Sequence, residues 1–460
     1  MTETALKDST APDIKGTVAL LGALDTKFEE FLYVKEKIES RGFATFVIDT
    51  SIFQHPDFTA DVSPNEVASA AGASLDDLAR RHDRGEAIAA MAKGAPVIVR
   101  RAWESGKFHG ILAMGGGAGT AVGSAAMRGL PFGVPKLMVT TLGGSDTSGY
   151  VGSSDIVIMP SVADISGINR ITQNIFKNAA GAICGMVEAR DVSAETTAEV
   201  PCDGSAEKER PMVAASMFGN TTRAVDHARH LLEEAGYEVL VFHATGGGGK
   251  AMESFIEQGY FVGVLDLTTT ELADEQCEGV LSAGPDRLDA AARQGIPQVV
   301  TPACLDMVNF WAPESVPAQF KDRLLYKWNP QVTLMRTTVE ENRTLGKVFA
   351  EKLNRCKGPV KVFIPMGGFS ELDLPGGLFW DPEADQAFVE ALKASLREDI
   401  PVEILDVDVN DEAFSGTVAR ALLAMLTEDT LGRLGRDPGQ VIPKFKNPNE
   451  VEWQHGSQAE

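Results

Sequence analysis

The sequence predicts an α/β protein of two domains, each a mostly parallel sheet flanked by helices, and three observations predict it. From Gly16 onward, short β-branched or aliphatic runs alternate with amphipathic segments of helical period, the pattern of parallel strands joined by helical crossovers. Residues 191–210, DVSAETTAEVPCDGSAEKER, are small, polar and acidic, the composition of an interdomain linker. Three strands run straight into glycine clusters, and ligands of open parallel sheets bind outside those carboxyl ends. The boundaries that follow are a polar tail over 1–15, a first domain over 16–190, the linker over 191–210, a second domain over 211–430 and a polar tail over 431–460.

Taken in order, TVALLG (17–22) reads as a buried strand. Phe28, Phe31, Leu32, Lys35 and Ile38 then trace one helical face, and FATFVID (43–49) completes a βαβ unit. Further strands are predicted over 110–114, 136–141 and 155–160, with helices near 118–128 and 166–188. In the second domain strands are predicted over 212–217, 238–244, 261–267, 297–302, 360–366 and 402–407. Asp381-Pro382-Glu383 is a helix start with an N-cap, a proline at the first position and an early acid, and Gly284-Pro285 to Gly295 brackets another helix. Thr338 and Glu341 fit a capping box. No repeat of 20–50 residues is present.

The 460 residues leave room for two or three domains and a large core. Hydrophobic residues at 44% and charged residues at 23% are globular values, and no apolar run approaches the roughly 18 residues of a membrane span, so no membrane partner is expected. Against 42 Lys and Arg stand 65 Asp and Glu, a formal charge of −23 that repels phosphate backbones, so no nucleic-acid partner is expected. Five widely spaced cysteines without a CxxC signal neither a disulfide framework nor zinc. With a polar N-terminus that lacks an apolar signal region, this composition predicts a cytoplasmic protein.

The glycine clusters are GGGAGT (115–120), TGGGGK (245–250) and GGFSE (367–371). A glycine turn opening a helix lets backbone N–H groups and the positive helix end approach phosphate or carboxylate. It also serves simply to make a tight turn. On the first reading Gly246, Gly247, Gly248, Gly249, Lys250, Gly367, Gly368 and Ser370 are candidates to hold a small anionic metabolite. TGGGGK is not a P-loop, and GGGAGT does not satisfy the dinucleotide fingerprint, because its sixth position is Thr120. The turn GALDTKFEE (22–30) places Asp25, Thr26 and Lys27 at a helix start, although Thr26 with Glu29 also fits a capping box. Asp49 ends the second strand, where an acid reads ribose hydroxyls in nucleotide-binding βαβ units. The loop TTLGGSDTSGYVGSSD (140–155) offers Thr140, Thr141, Gly143, Gly144 and Ser145 as donors and Asp146 as a magnesium or water ligand, or else is a plain connection.

Strand-end acids and bases suited to catalysis in the second domain are His243, Asp266 and Glu271, with Glu253, Asp306, Glu371 and Asp373 nearby in type. His243 precedes a glycine turn and suits a general base, or is an ordinary strand-end histidine. His227 and His230 lie on a helix and read as solvated or packing residues. Ser370 lacks the spacing of a nucleophile elbow.

The opening strand with GALDTK, the strand with GGGAGT, the TTLGG and SGYVGSSD loop, DIVIMPSVADISGINRI, MRTTVEEN (335–342) and MGGFSELDLPGG (366–377) together resemble the Tm-1-like ATP-binding proteins over about 16–422. The resemblance implies two Rossmann-like domains, magnesium-ATP binding by the N-terminal domain and a homodimer or larger homo-oligomer. It carries the ATP role onto Asp25, Thr26, Lys27, Gly115, Gly116, Gly117, Gly119, Thr120, Thr141 and Gly143. The expectation is a Mg-ATP-binding protein with a second small-metabolite site between or beyond the domains, suited to phosphoryl transfer or ATP-dependent activation. A non-catalytic nucleotide-regulated binder and an ATP-independent lyase or hydrolase remain as alternatives.

Overall fold

A computed structural model describes residues 14–53, 59–198 and 210–433. Both predicted tails, apart from 14–15 and 431–433, and residues 199–209 of the predicted linker lie outside the described residues, as does Cys202. The chain divides into two compact units, Met1–Glu207 and Lys208–Glu460.

In the first unit five strands form one parallel sheet: β1 (Thr17–Gly22), β2 (Ala44–Asp49), β3 (Gly110–Gly115), β4 (Lys136–Thr140) and β5 (Val157–Pro160). Their order is β2-β1-β3-β4-β5. Every residue of β3 and β4 is buried, so these strands read in the sequence as unbroken apolar runs rather than alternating ones. The helices are α1 (Leu24–Glu39), α2 (Pro64–Ala70), α3 (Leu75–Arg81), α4 (Arg84–Glu104), α5 (Gly117–Arg128), the single turn α6 (Ser148–Val151) and α7 (Arg170–Ala198). Alternate β1 side chains feed two cores: Val18 and Leu20 pack with Phe31 and Val34 of α1 and Phe176 and Ile183 of α7, whereas Ala19 and Leu21 pack with Met91 and Val99 of α4 and Val122 of α5. The sheet is thus covered on both faces.

Two expectations change here. The buried stripe of α1 is Leu24, Phe31, Val34 and Ile38, while Leu32 is 37% exposed, because the helix starts earlier and is kinked at Lys27 (φ −130°). The helix α7 runs through Ala198, into the stretch whose composition suggested a linker; residues 191–198 contain neither Gly nor Pro, so nothing in them stops a helix.

In the second unit β6 (Met212–Met217), β7 (Glu238–His243), β8 (Gly263–Thr268), β9 (Gln298–Ala303), β13 (Val360–Pro365) and β14 (Val402–Leu405) form a parallel sheet of order β14-β13-β9-β8-β6-β7. Read from β7, this is the strand order of the first unit with one strand added. The remaining strands, β10 (Met307–Phe310), β11 (Leu325–Asn329) and β12 (Val332–Arg336), form a small antiparallel sheet of order β10-β12-β11 that the sequence reading did not anticipate. The helices are α8 (Thr222–Glu234), α9 (Gly247–Glu257), α10 (Glu271–Gln276), α11 (Ala290–Gln294), α12 (Val339–Leu353), α13 (Pro382–Ser395) and α14 (Glu412–Arg433). The expected starts of α12 and α13 are present: Thr338 and Glu341 form a reciprocal capping box, and Asp381 accepts the amide of Ala384 ahead of Pro382. The helix expected between Gly284 and Gly295 is reduced to the single turn α11, closed by Gly295 at φ 69°. Among the described residues, no helix is long and apolar enough to cross a membrane.

Candidate functional site

In an open parallel sheet, ligands bind where neighbouring strands send their connections to opposite sides. In the first unit that point lies between β1 and β3, and a pocket of about 420 Å³ opens there. Ala23, Asp25 and Thr26 line it from the end of β1, Thr50, Ile52 and Phe53 from the end of β2, and Ala118, Gly119 and Val122 from α5. The remaining wall comes from α3 and α4 and is apolar at Leu78, Ile88 and Met91 but carries His82 and Arg84 at its rim.

The amino end of α5 reaches the pocket through Ala118 and Gly119. Gly116 is its N-cap and supplies no side chain, and the amides of Gly117, Ala118 and Gly119 have no partner among the described residues. The glycines around it divide by function. A Cβ on Gly115 would stand 2.8 Å from Cα of Gly119, and one on Gly119 would stand 3.1 Å from the Met114 carbonyl, so these two let strand and helix meet. A Cβ on Gly117 would meet nothing within 4 Å, and one on Gly116 only Oγ1 of Thr141 at 3.6 Å. The exposed Thr141 therefore stands beside the open face of the turn. Thr120 does not: it is fully buried, its hydroxyl 2.8 Å from the Gly116 carbonyl and 2.6 Å from Oγ1 of Thr140, which ties α5 to β4. Gly143 is likewise a packing residue, since a Cβ there would lie 2.7 Å from Cα of Pro160. Asp146 is exposed and outside the pocket lining, and the Ser148 hydroxyl and amide hold its carboxyl below the usual range. Among the described residues, no group of three or more His, Cys, Asp or Glu is placed to hold a metal.

The start of α1 is, by contrast, already satisfied. The amide of Leu24 donates to Asp49 at 3.3 Å, that of Asp25 to the Ser51 hydroxyl at 2.9 Å, and that of Lys27 to the Ala23 carbonyl at 3.1 Å. The expected Thr26–Glu29 capping box is absent, since the Thr26 hydroxyl turns back to the Ala23 carbonyl at 3.4 Å. Asp49 is buried and outside the pocket lining; its Oδ1 accepts from Leu24 and from the Ser51 amide and hydroxyl, and burial raises its pKa. Lys27 is not part of the pocket lining. Asp25 is, and its Oδ2 accepts the amides of Ile52 at 3.2 Å and Phe53 at 3.1 Å.

Sequence reasoning missed the α3–α4 wall. One signal was available in Arg84, a cation in the first turn of a helix where the dipole disfavours positive charge. Arg84 has no carboxylate partner among the described residues.

The second unit's glycine turn holds an anion of its own. The Oε1 atom of Glu271 accepts the amides of Gly246 at 2.7 Å and Gly249 at 3.1 Å, and Nε of Arg287 donates to its Oε2 at 2.7 Å. A Cβ on Gly249 would lie 2.1 Å from Oε2, and one on Gly248 would lie 1.8 Å from the His243 carbonyl. Gly247 donates its amide to Thr245 at 2.9 Å, and Lys250 is exposed at the turn's end. The amides of Gly246 and Gly249, expected to meet a metabolite, are thus taken up by a carboxylate of the protein itself. Asp266 and Glu271, expected as catalytic acids, are buried counter-ions of Arg287, which is fully buried and also reaches Glu253 at 3.3 Å. Burial lowers the Arg287 pKa, and Asp266, Glu271 and Glu253 together outweigh it and raise it well above the usual value. His243 is exposed, with its ring 5.6 Å from that of Phe218, and no acid among the described residues orients it.

Gly367, Gly368 and Ser370 are also internal. A Cβ on Gly367 would meet the Val407 backbone at 2.5 Å, Gly368 sits at φ +144° against the Asp373 carbonyl, and the buried Ser370 hydroxyl donates to Asp306 at 2.7 Å. Asp306 belongs to a buried group in which Arg336 meets Asp385 at 2.8 Å and Asp373 at 3.5 Å. Burial pushes Asp306 up to about 6, and burial with the neighbouring Asp306 and Asp385 pushes Asp373 up to about 9. His227 bonds Ser415 at 2.7 Å and His230 faces Glu234 at 3.2 Å, the packing and surface roles expected of them.

Comparisons with known proteins agree on the family. Residues 16–192 match the N-terminal domain, and residues 210–426 the C-terminal domain, of the uncharacterised protein family UPF0261. A UPF0261 protein of Clostridium tetani is 46% identical over 411 residues, covering 89% of this chain and 98% of its own. The ToMV resistance protein Tm-1(GCR237) of Solanum lycopersicum is 36% identical over 461 residues, covering 96% of this chain and 60% of its own length. Among solved structures, the UDP-N-acetylglucosamine 2-epimerase from Rickettsia bellii aligns over 91% of this chain and 98% of its own at 10% identity with a TM-score of 0.21, too distant a likeness to bear on activity.

Proposed function

The chain belongs to the UPF0261 family, and from that starting point we propose that its first unit binds magnesium-ATP in the pocket between β1 and β3. The observation that carries the reading is the start of α5, where the amides of Gly117, Ala118 and Gly119 have no partner among the described residues, Ala118 and Gly119 line the pocket, and the space beside Gly117 is open. Such an end binds phosphate. Arg84 at the rim adds positive charge, and Leu78, Ile88 and Met91 offer an apolar wall for a base. The pocket volume of about 420 Å³ is within the range of small-ligand sites. Magnesium in such a site is held chiefly by the nucleotide's own phosphates and water, consistent with a pocket that has few carboxylates. The second unit takes no part in this reading, because Glu271 already fills its glycine turn.

The test is calorimetric titration of wild type and Gly117→Asp with Mg-ATP, GTP and NAD. Micromolar ATP binding is expected in wild type and its loss in the variant, which should melt within a few degrees of wild type because the substituted position faces open space. Absence of ATP binding in a folded wild type sinks the proposal. Release of ADP during the same titration would extend the reading from binding to phosphoryl transfer.

A further inference from the structure

We infer that Asp25 accepts the hydroxyls of a sugar diol in this pocket, which makes the site selective for ribonucleotides over deoxyribonucleotides; the inference rests on the nucleotide reading above. Three features carry it. Asp25 is held rigidly, its own amide on the Ser51 hydroxyl at 2.9 Å and its Oδ2 on the amides of Ile52 and Phe53 at 3.2 and 3.1 Å. Its Oδ1 has no partner among the described residues, yet the residue lines the pocket. The acid at the end of β2, Asp49, is buried and outside the pocket lining, with its Oδ1 accepting from Leu24 and Ser51.

A carboxylate oxygen accepts hydrogen bonds and donates none. Unless a cation lies between them, it is kept from the ligand's phosphates, since like charges repel. It must meet a donor group set between the apolar part of the ligand and the anionic part. Vicinal hydroxyls satisfy that requirement with neutral donors, and one oxygen can accept from both. The ribose-reading role thus moves from the end of β2 to the residue after β1.

The experiment compares ATP, 2′-deoxyATP and 3′-deoxyATP on wild type and Asp25→Asn, each with magnesium and again with chelator. The asparagine keeps an oxygen for the Ile52 and Phe53 amides and turns the unpartnered acceptor into a donor, so folding should be retained. Wild type is expected to bind each deoxy analogue about tenfold to a hundredfold more weakly than ATP, the loss of a hydrogen bond to a charged group. In Asp25→Asn the three ligands should bind alike. Equal affinity of wild type for ATP and both analogues overturns the inference and leaves the nucleotide reading standing. An Asp25→Asn defect that vanishes in chelator also overturns it, because the carboxylate would then act through the cation. No nucleotide binding by wild type removes the nucleotide reading and this inference with it.

Discussion

The amide of Gly246 donates to the carboxylate of Glu271 at 2.7 Å, a residue 25 positions later in the chain. The same oxygen takes Gly249, and Arg287 holds the other oxygen from behind. An anion-binding turn and its anion are therefore both encoded by the second unit. Removing that anion strands two amides and leaves a buried guanidinium with less compensation. Glu271→Ala should destabilise the second unit by about 3–5 kcal/mol, the scale for breaking a buried ion pair. Glu271→Gln, which keeps an acceptor for the glycines, should cost less. Scanning calorimetry checks both, and an alanine variant that melts with wild type would show the contact to be dispensable.

Arg84 should matter for the ligand and not for the fold. It is exposed and begins α4, where a cation is disfavoured by about 0.3–1 kcal/mol. Arg84→Ala should weaken ATP binding about tenfold, reduce the salt dependence of that binding and leave the melting temperature unchanged or slightly raised. An unchanged affinity with a lowered melting temperature would contradict the role given to it.

The acid Asp274 gives the second unit a pH-dependent stability. Burial pushes its carboxyl from the ordinary 3.8 up to about 7, against hydrogen bonds from Asn309 and Leu281 that favour the charged form. The folded state then keeps a proton that the unfolded chain releases. The associated stability is complete below about pH 4 and lost as pH rises towards 7. The difference between wild type and Asp274→Asn should therefore change across that window, with a slope approaching about 1.4 kcal/mol per pH unit. Urea midpoints measured at intervals from pH 4 to 8 check this, and a flat difference would contradict it.

The sheets were legible because strands buried on both faces leave continuous apolar runs such as GILAM and KLMVT. The strands β11 and β12 were not, since LYKWN mixes charged, amide and aromatic residues over five positions and its partner follows after only Pro330 and Gln331. GGGAGT is legible as a glycine turn opening a helix, but the letters do not separate Gly115, needed where the helix touches the strand, from Gly117, which faces open space. That Asp25 lines the pocket and Asp49 does not was hidden for a similar reason: which carboxylate lies at the pocket depends on the path of residues 49–53, which the sequence pattern does not give. The pocket wall of Leu78, Arg84 and Met91 lies far along the chain from the glycine turn, and only the crossover geometry brings them together. Glu271 reaches Gly246 across an intervening helix and strand, a distance no local motif spans.

The arginine behind Glu271 also has a historical consequence. A descendant in which that glycine turn opened to an outside ligand would have to lose the glutamate, and its first substitution would leave a fully enclosed guanidinium short of a counter-charge. Two changes would be needed almost together, one emptying the turn and one replacing Arg287. Stepwise drift is blocked on that route, so lineages of this fold should diversify their ligands through the first sheet while the second keeps its turn closed.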